Sequence, residues 1–171
     1  TSSSEYNGVT AYENNATGIY IIEMDRLGVG PVKSYNNKGK GVYALLSGWG
    51  GSIQDAIIYN NTEEGIYLMD QGGVRLSNLT IYNNTLSGVY IYNTIHSIIA
   101  NSTITENGEK GIYLDSSYIT DVDNVTIEFN SDGIYINNSN STVTNNRIYN
   151  NTNYDIDLLS NANNSAIYNN D

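Results

Sequence analysis

Apolar and polar residues alternate along this chain in short segments that return at a nearly constant interval. The segment GIYL at 65–68 places Ile66 and Leu68 on one face and Tyr67 on the other, and a period of two predicts a β-strand. The segment LTIY at 79–82 alternates in the same way. The pattern therefore predicts two short strands in each unit, with polar turns between them.

The interval is a repeat that runs through the whole chain. Each unit opens with Gly or Asp before Ile or Val, and the seven copies are spaced by 23, 24, 23, 23, 22 and 22 residues. The opening residues are Gly18, Gly41, Gly65, Gly88, Gly111, Gly133 and Asp155. Such a unit cannot bury its apolar face alone, but stacked copies bury it by pairing as parallel strands about 4.8 Å apart. We therefore expect a single all-β domain over residues 1–171, a parallel solenoid of about seven 22–24-residue coils.

Equivalent positions of stacked coils form ladders along the predicted rod. The first inward ladder is Ile19, Val42, Ile66, Val89, Ile112, Ile134 and Ile156, and the second is Ile21, Ala44, Leu68, Ile91, Leu114, Ile136 and Leu158. The third is Ile58, Ile81, Ile104, Ile127, Ile148 and Ile167. An amide ladder in a tight turn is expected from Asn14, Asn37, Asn61, Asn84, Asn107, Asn130 and Asn151, with Asn170 one turn later. Bonds between these amides would satisfy polar groups that burial makes costly.

The repeat N-x-x-x-G-I/V-Y-x-x … I-x-x-N resembles the right-handed parallel β-helix repeat of pectin-lyase-like and NosD-like proteins. The resemblance covers residues 5–170 and implies a right-handed β-helix. Members of this group include polysaccharide lyases and hydrolases, tailspikes, adhesins, copper-loading proteins and surface-layer proteins. The fold alone therefore does not choose a function.

Composition narrows the classes of function. The chain has no cysteine, which excludes disulfides, zinc-thiolate sites and thiol catalysis. A net charge of -11 argues against nucleic acid as a partner, because phosphate binding needs a basic surface. No segment has the 18 apolar residues of a membrane span. The chain begins TSSS without Met or a signal peptide, so a processed or trimmed N-terminus is expected.

The residues give no pattern for catalysis. The resemblance implies calcium-binding carboxylates and a base in lyases, or Asp residues beside His and an Arg-x-Lys motif in hydrolases. The chain has one histidine, His96, and none of its arginines stands in an Arg-x-Lys motif. We expect His96 to be a surface or turn residue, and we predict no catalytic residue and no enzyme activity.

An acidic pair is the best candidate for a metal site. Asp121 and Asp123 alternate in YITDVDNV and so point to the same side of an extended segment. Such hard oxygen ligands suit calcium, the only cofactor considered for this chain. A solvated acidic turn is the alternative. Arg75 is expected about two coils away, where it would complete a glycan-binding or degrading groove with the two carboxylates.

Outward-facing tyrosines form a stripe at two residues after each opening residue. Its members are Tyr20, Tyr43, Tyr67, Tyr90, Tyr113 and Tyr135. A second stripe of Tyr12, Tyr59, Tyr82, Tyr149 and Tyr168 is interrupted by Thr105 and Glu128. Tyrosines are enriched at interfaces, but stacked tyrosines also stabilise a sheet. Interface contact, sheet stabilisation and stacking on sugar rings all stay open.

Ten Asn-x-Ser/Thr sequons occur, about twice the number expected from composition. They start at Asn15, Asn60, Asn78, Asn83, Asn101, Asn124, Asn137, Asn140, Asn150 and Asn163. Glycosylation at several of them would place the protein outside the cell. Richness in Tyr, Asn, Ser and Thr with few charges also resembles secreted surface proteins of heat- and acid-loving archaea.

The first hypothesis is an extracellular, N-glycosylated structural β-helix whose copies assemble head to tail into a filament or surface array. The segments GVTAYEN at 8–14 and SAIYNND at 165–171 are interpreted as the same phase of the repeat, so that one copy would continue the coils of the next. The alternatives are a carbohydrate-binding or polysaccharide-degrading β-helix, and a spacer rod of a larger adhesin or tailspike.

Overall fold

The computed structural model describes residues 4–22, 27–46, 50–70, 72–159, 161–162 and 164–171. These residues form a solenoid of β-strands and contain no helix, as the alternating pattern predicted. In chain order the strands are β1 (Ser4–Tyr6), β2 (Val9–Tyr12), β3 (Ile19–Ile22), β4 (Leu27–Val29), β5 (Val32–Tyr35), β6 (Val42–Leu46), β7 (Gly51–Gln54), β8 (Ala56–Tyr59), β9 (Ile66–Asp70), β10 (Val74–Ser77), β11 (Thr80–Tyr82), β12 (Val89–Tyr92), β13 (Ile95–Thr105), β14 (Lys110–Asp115), β15 (Tyr118–Glu128), β16 (Asp132–Asn137), β17 (Asn140–Thr144), β18 (Arg147–Tyr149), β19 (Tyr154–Leu158) and β20 (Ala166–Tyr168).

Each coil has three strands, which we call its first, second and third limbs, rather than the two that were predicted. The first limbs are β1, β4, β7, β10, the first halves of β13 and β15, β17 and β20. The second limbs are β2, β5, β8, β11, the second halves of β13 and β15, and β18. The third limbs form a separate seven-stranded sheet of β3, β6, β9, β12, β14, β16 and β19. Six steps of the solenoid separate β3 from β19.

A single residue in the left-handed conformation separates the first limb from the second. Asn78, with a φ of 56°, lies between β10 and β11. Both limbs are therefore contained in the continuous stretch VRLSNLTIY, of which the sequence pattern assigned only the second half to a strand. Asn tolerates this conformation better than most residues, so the corner needs no loop.

Parallel pairing builds the predicted inward ladders. Ile66 pairs with Val42 on one side and Val89 on the other, and Val89 pairs with Ile112. These side chains are almost completely buried. The second ladder and the third, as far as Ile148, are also confirmed. The core is thus a stack of apolar layers, each supplied by one coil.

The predicted phase of the last segment was wrong. Ile167 pairs with Val143 of the first limb, not with Ile148 of the second. The side-chain amide of Asn146 donates to Oδ1 of Asn170 at 3.0 Å, so Asn170 belongs to a ladder at a different corner from Asn151. The segment SAIYNND is therefore equivalent to STVTNNR at 141–147 and is not in phase with GVTAYEN.

The predicted amide ladder is present between the second and third limbs. The Nδ2 atom of each asparagine donates to Oδ1 of the next, over 2.9 Å from Asn37 to Asn61, 2.9 Å from Asn61 to Asn84 and 3.0 Å from Asn84 to Asn107. Each Oδ1 also accepts from a backbone amide, as Asn84 does from Asn61. The ladder thus satisfies backbone and side-chain groups that the turn buries.

Close approach of neighbouring coils explains the glycine that opens each unit. A Cβ added at Gly88 would lie 2.5 Å from Cγ2 of Ile104 and 2.8 Å from the carbonyl oxygen of Gly111. The same contacts with the next coil recur at Gly41, Gly65 and Gly111. Glycine is therefore required at this corner for space, and not for an unusual backbone angle.

Candidate interaction surfaces

The first tyrosine stripe lies on the outer face of the third limbs, as a continuous stack. Three neighbouring pairs are face to face, with ring centroids 4.8 Å apart for Tyr20 and Tyr43, 5.4 Å for Tyr43 and Tyr67, and 4.4 Å for Tyr90 and Tyr113. Two pairs are edge to face, Tyr67 with Tyr90 at 4.9 Å and Tyr113 with Tyr135 at 5.0 Å. Because the rings cover one another's faces, this stripe presents mainly ring edges and hydroxyl groups to a partner.

The second stripe lies on the outer face of the second limbs and contains Tyr35, which the sequence analysis omitted. Tyr12, Tyr35, Tyr59 and Tyr82 stack with centroids 4.8–5.3 Å apart. The predicted interruption by Thr105 and Glu128 before Tyr149 is confirmed by the strand register. Tyr168 was wrongly included, because it pairs with Thr144 in the first limb.

A polar cluster that sequence analysis missed interrupts the outer face of the third limbs. The hydroxyl of Tyr90 donates to Oδ2 of Asp115 at 3.1 Å. The other carboxylate oxygen, Oδ1, accepts from Nδ2 of Asn137 and from Oγ of Ser116, both at 3.1 Å. Burial and the Asp115 carboxylate raise the pKa of Tyr90. The only sequence signal was an acidic residue one coil and two positions after a stripe tyrosine.

Lysines flank the stripe on the side opposite the polar cluster. Lys40 pairs with Glu63 and with Glu64 at 3.2 Å, and its Nζ lies 5.1 Å from the ring centre of Tyr67. Burial lowers the pKa of Lys40, but its hydrogen bonds and the two carboxylates outweigh this and raise it. Lys110 lies 5.8 and 5.2 Å from the ring centres of Tyr113 and Tyr135. The cations are thus held against aromatic rings, an arrangement that stabilises the sheet.

The acidic pair lies on the outer face of the first limb of β15, and its two carboxylates project to the same side. Oδ1 of Asp123 accepts from Oγ1 of Thr144 at 3.0 Å and from Nδ2 of Asn145 at 2.7 Å. In the described part of the chain, no three His, Cys, Asp or Glu side chains come together as a metal site. Calcium therefore stays a prediction that rests on two carboxylates, one of which already has two neutral hydrogen-bond donors.

Arg75 lies two coils from Asp121 in one outward column, as predicted. Arg75 pairs with Ile98, and Ile98 pairs with Asp121. Two coil spacings amount to about 9.6 Å, so the charges flank an apolar residue and do not form a direct ion pair. His96 is an exposed corner residue with a φ of 61°, in agreement with its predicted position.

Six of the ten sequon asparagines occupy exposed corners in the left-handed conformation. Their φ values lie between 52° and 56°. Those at the corner between the first and second limbs are Asn78, Asn101 and Asn124, and those just before the amide ladder are Asn60, Asn83 and Asn150. Asn15 is also exposed, Asn137 and Asn140 are half-buried, and Asn163 lies outside the described residues. The six corner side chains thus extend along two edges of the rod.

A solenoid of parallel three-stranded coils, with apolar and amide ladders inside, defines the class of β-helix proteins. The chain belongs to the right-handed β-helix family, whose model matches residues 1–171. No curated protein sequence is significantly similar to it. In the described residues, no helix is long and apolar enough to cross a membrane.

Solved structures that resemble the chain share its fold at low sequence identity. The A-module of mannuronan C-5 epimerase AlgE4 from Azotobacter vinelandii has a TM-score of 0.89 and 15% identity, over 99% of this chain and 53% of that one. The periplasmic alginate epimerase AlgG has a TM-score of 0.74 and 22% identity, over 83% and 36%. Pectate lyase Pel9A has a TM-score of 0.72 and 14% identity, over 80% and 43%. The chain thus matches about half or less of each structure's length.

Proposed function

We propose that this chain is an extracellular structural β-helix that is N-glycosylated along its edges and assembles with copies of itself. The observation that carries the proposal is the placement of six sequon asparagines at exposed corners on two edges. An acceptor asparagine must project from the surface, and a bulky glycan there would meet solvent and not the core. Glycans on these edges would cover the corners and leave the sheet faces accessible.

Assembly is proposed to use the repeat itself. Coils follow one another at a constant spacing, so end-to-end contact between copies would continue the same parallel ladders and form an open filament. The corrected phase of 165–171 removes the earlier support from matching end segments. The proposal therefore rests on the regular spacing of the coils and on the outward tyrosine stripes, which offer large amphipathic contact areas.

Two measurements on protein purified from its native source test the two parts separately. Intact-mass and glycopeptide analysis should find glycans at several of the six corner sequons. Electron microscopy without denaturant should show filaments or arrays. Unmodified corner asparagines would refute the glycosylation, and single short rods at every concentration would refute the assembly.

The second candidate function is non-catalytic binding of a glycan on the outer face of the first limbs. It is favoured by the column in which Arg75, Ile98 and Asp121 offer a cation, an apolar surface and a carboxylate, and by the carbohydrate-related names of the structural neighbours. A net charge of -11 disfavours polyanionic glycans, so a neutral glycan is the expected ligand. A glycan array with the parent chain and Arg75→Ala tests it, since a parent chain that binds no glycan would exclude it.

A further inference from the structure

The hydrogen-bonded pair of Tyr90 and Asp115 lies within a continuous tyrosine stack, and the proposed function does not use it. Neighbouring centroids in the first stripe are 4.4–5.4 Å apart. Rings in van der Waals contact exchange an electron readily, because their π orbitals overlap. An electron vacancy created at one ring of the stripe can therefore move along it.

We propose that Tyr90 and Asp115 form a proton-coupled redox site, at which the tyrosine stripe is oxidised by one-electron oxidants. One electron leaves the phenol of Tyr90 and reduces the oxidant by one electron. The phenolic proton passes along the 3.1 Å hydrogen bond to Oδ2 of Asp115. The products are a neutral tyrosyl radical and a protonated carboxyl group. No other bond is formed or broken.

The surroundings of Asp115 favour this transfer. A phenol that loses an electron becomes a strong acid, so a carboxylate already hydrogen-bonded to it lowers the free energy of the oxidised state. Asn137 and Ser116 bond to the opposite oxygen, Oδ1, and so hold Oδ2 toward Tyr90. The side chain of Tyr90 is half-buried, which limits the access of solvent reductants to the radical.

Positive charges along the stripe favour Tyr90 over its neighbours. Lys40 lies over the ring of Tyr67, and Lys110 lies over the rings of Tyr113 and Tyr135. A cation beside a ring opposes the removal of an electron from it. Among the described cation–ring contacts, none involves Tyr90. The vacancy should therefore settle at the tyrosine that has a base and no cation.

The second stripe is an internal control. Tyr59 is stacked between Tyr35 and Tyr82 at 4.9 and 4.8 Å, so it has the same ring contacts as the first stripe. Its ring lies 5.6 Å from Nζ of Lys33. None of the described side-chain hydrogen bonds joins Tyr59 to a carboxylate. Ring stacking without a proton acceptor can thus be compared within one molecule.

The test uses the full chain and a photo-generated ruthenium(III) tris-bipyridyl complex as the oxidant. Freeze-quenched electron paramagnetic resonance should show a persistent tyrosyl radical in the parent chain and in Tyr59→Phe. Tyr90→Phe, which removes one oxygen atom, should lose most of this signal. Asp115→Asn should form the radical more slowly and lose the solvent deuterium isotope effect, and Asp115→Glu should restore part of both.

The opposite pattern would overturn the proposal. It fails if Tyr90→Phe keeps the persistent signal, or if Tyr59→Phe loses as much of it. It also fails if the parent chain gives only the short-lived radicals of exposed tyrosines. Circular dichroism of each variant shows whether the solenoid is intact, and if Asp115→Asn does not fold, the comparison of Tyr90→Phe with Tyr59→Phe decides the result.

Discussion

Asn84 lies in the middle of the amide ladder, and Asn84→Ala tests how much that ladder stabilises the solenoid. Oδ1 of Asn84 accepts from the backbone amide of Asn61 at 3.1 Å and from its Nδ2 at 2.9 Å. Nδ2 of Asn84 donates to Oδ1 of Asn107 at 3.0 Å. Asn84 is 2% exposed, so water cannot replace these partners in the intact fold. The substitution would leave two donors of Asn61 without their acceptor.

The magnitude follows from those two donors. Leaving one buried donor unsatisfied costs about 1–3 kcal/mol, so two give about 2–6 kcal/mol. Nδ2 of Asn61 keeps a long hydrogen bond to the carbonyl oxygen of Ser34 at 3.3 Å, which reduces the loss. We therefore expect Asn84→Ala to lower the free energy of unfolding by about 2–4 kcal/mol.

Asn14→Ala is the matched control at the exposed end of the ladder. Asn14 donates to Oδ1 of Asn37 through its backbone amide and its Nδ2, and no described group donates to its side chain. Its truncation leaves no buried donor unsatisfied, and we expect a loss below about 1 kcal/mol. Asn84→Ala also preserves the sequon of Asn83, since it changes only the middle residue.

Urea unfolding followed by circular dichroism measures both variants against the parent chain. Solenoids can unfold in parts, so the comparison requires equal slopes of the transitions. Equal slopes with a much lower midpoint for Asn84→Ala would support the calculated loss. The reasoning would be refuted if both variants had the same midpoint, because burial of the donors would then carry no measurable cost.

Three further predictions concern the coil contacts, the tyrosines and the edges. Gly88→Ala places a methyl group 2.8 Å from the carbonyl oxygen of Gly111, and we expect a loss of stability above about 1 kcal/mol in urea unfolding; a stability equal to the parent's would show that the coils can separate freely. Burial and Asp115 raise the pKa of Tyr90, so the folded state keeps a proton that the unfolded chain releases above about pH 10. Stability should therefore fall as pH rises above this value, and the fall should be smaller in Tyr90→Phe; identical pH profiles would contradict this. Asn83→Gln should remove one glycan from the mass of the native-host protein without changing its unfolding midpoint, because the side chain is exposed; an unchanged mass would show that this site is unmodified.

Much of the fold was predictable because each coil repeats the same contacts. Gly88 meets the next coil in the same way as Gly65 and Gly111, so the same steric requirement appears in the sequence at a fixed interval. The interval alone did not reveal the cause. None of these three glycines has a positive φ, and the requirement for space becomes visible only when the neighbouring coil is in place.

The phase of Ile167 shows where residue identity misled the prediction. The segment Ile-Tyr-Asn-Asn at 167–170 is identical to 148–151, but only 19 residues separate Ile148 from Ile167. Val143 lies 24 residues before Ile167, within the interval of the other coils. A coil needs a certain number of residues to close its perimeter, so spacing was the better guide. Extra corner residues would be needed to use the shorter interval, and none are available there.

The polar cluster was beyond reach of the sequence for a different reason. Tyr90 and Asp115 are 25 residues apart, and they meet because neighbouring outward columns of a sheet lie side by side. Alternation assigns both residues to the outer face, but it gives no information on which rotamers they adopt. The column of Tyr90 also reads as an unbroken tyrosine stripe, so nothing in it marks one member as distinct. The distinction comes from Asp115, where the adjacent column departs from the apolar Leu45 and Met69 of earlier coils.

That departure indicates where function should be sought in a solenoid. Inward positions and opening glycines are fixed by the stacking of coils, and their regularity would be the same in a binding protein and in a structural rod. Outward positions are free to differ, so a charged residue in an otherwise neutral column carries more information than any repeated residue. Arg75 and Asp121 are such departures on the first limbs, whereas the sequon asparagines recur on successive coils at two corners. Repetition suits a surface that is coated along its length, and an isolated charge suits one bound ligand. Because the corner sequons are repeated and the charged column is not, the structural reading ranks above the glycan-binding one, and glycan binding that is lost in Arg75→Ala would reverse that order.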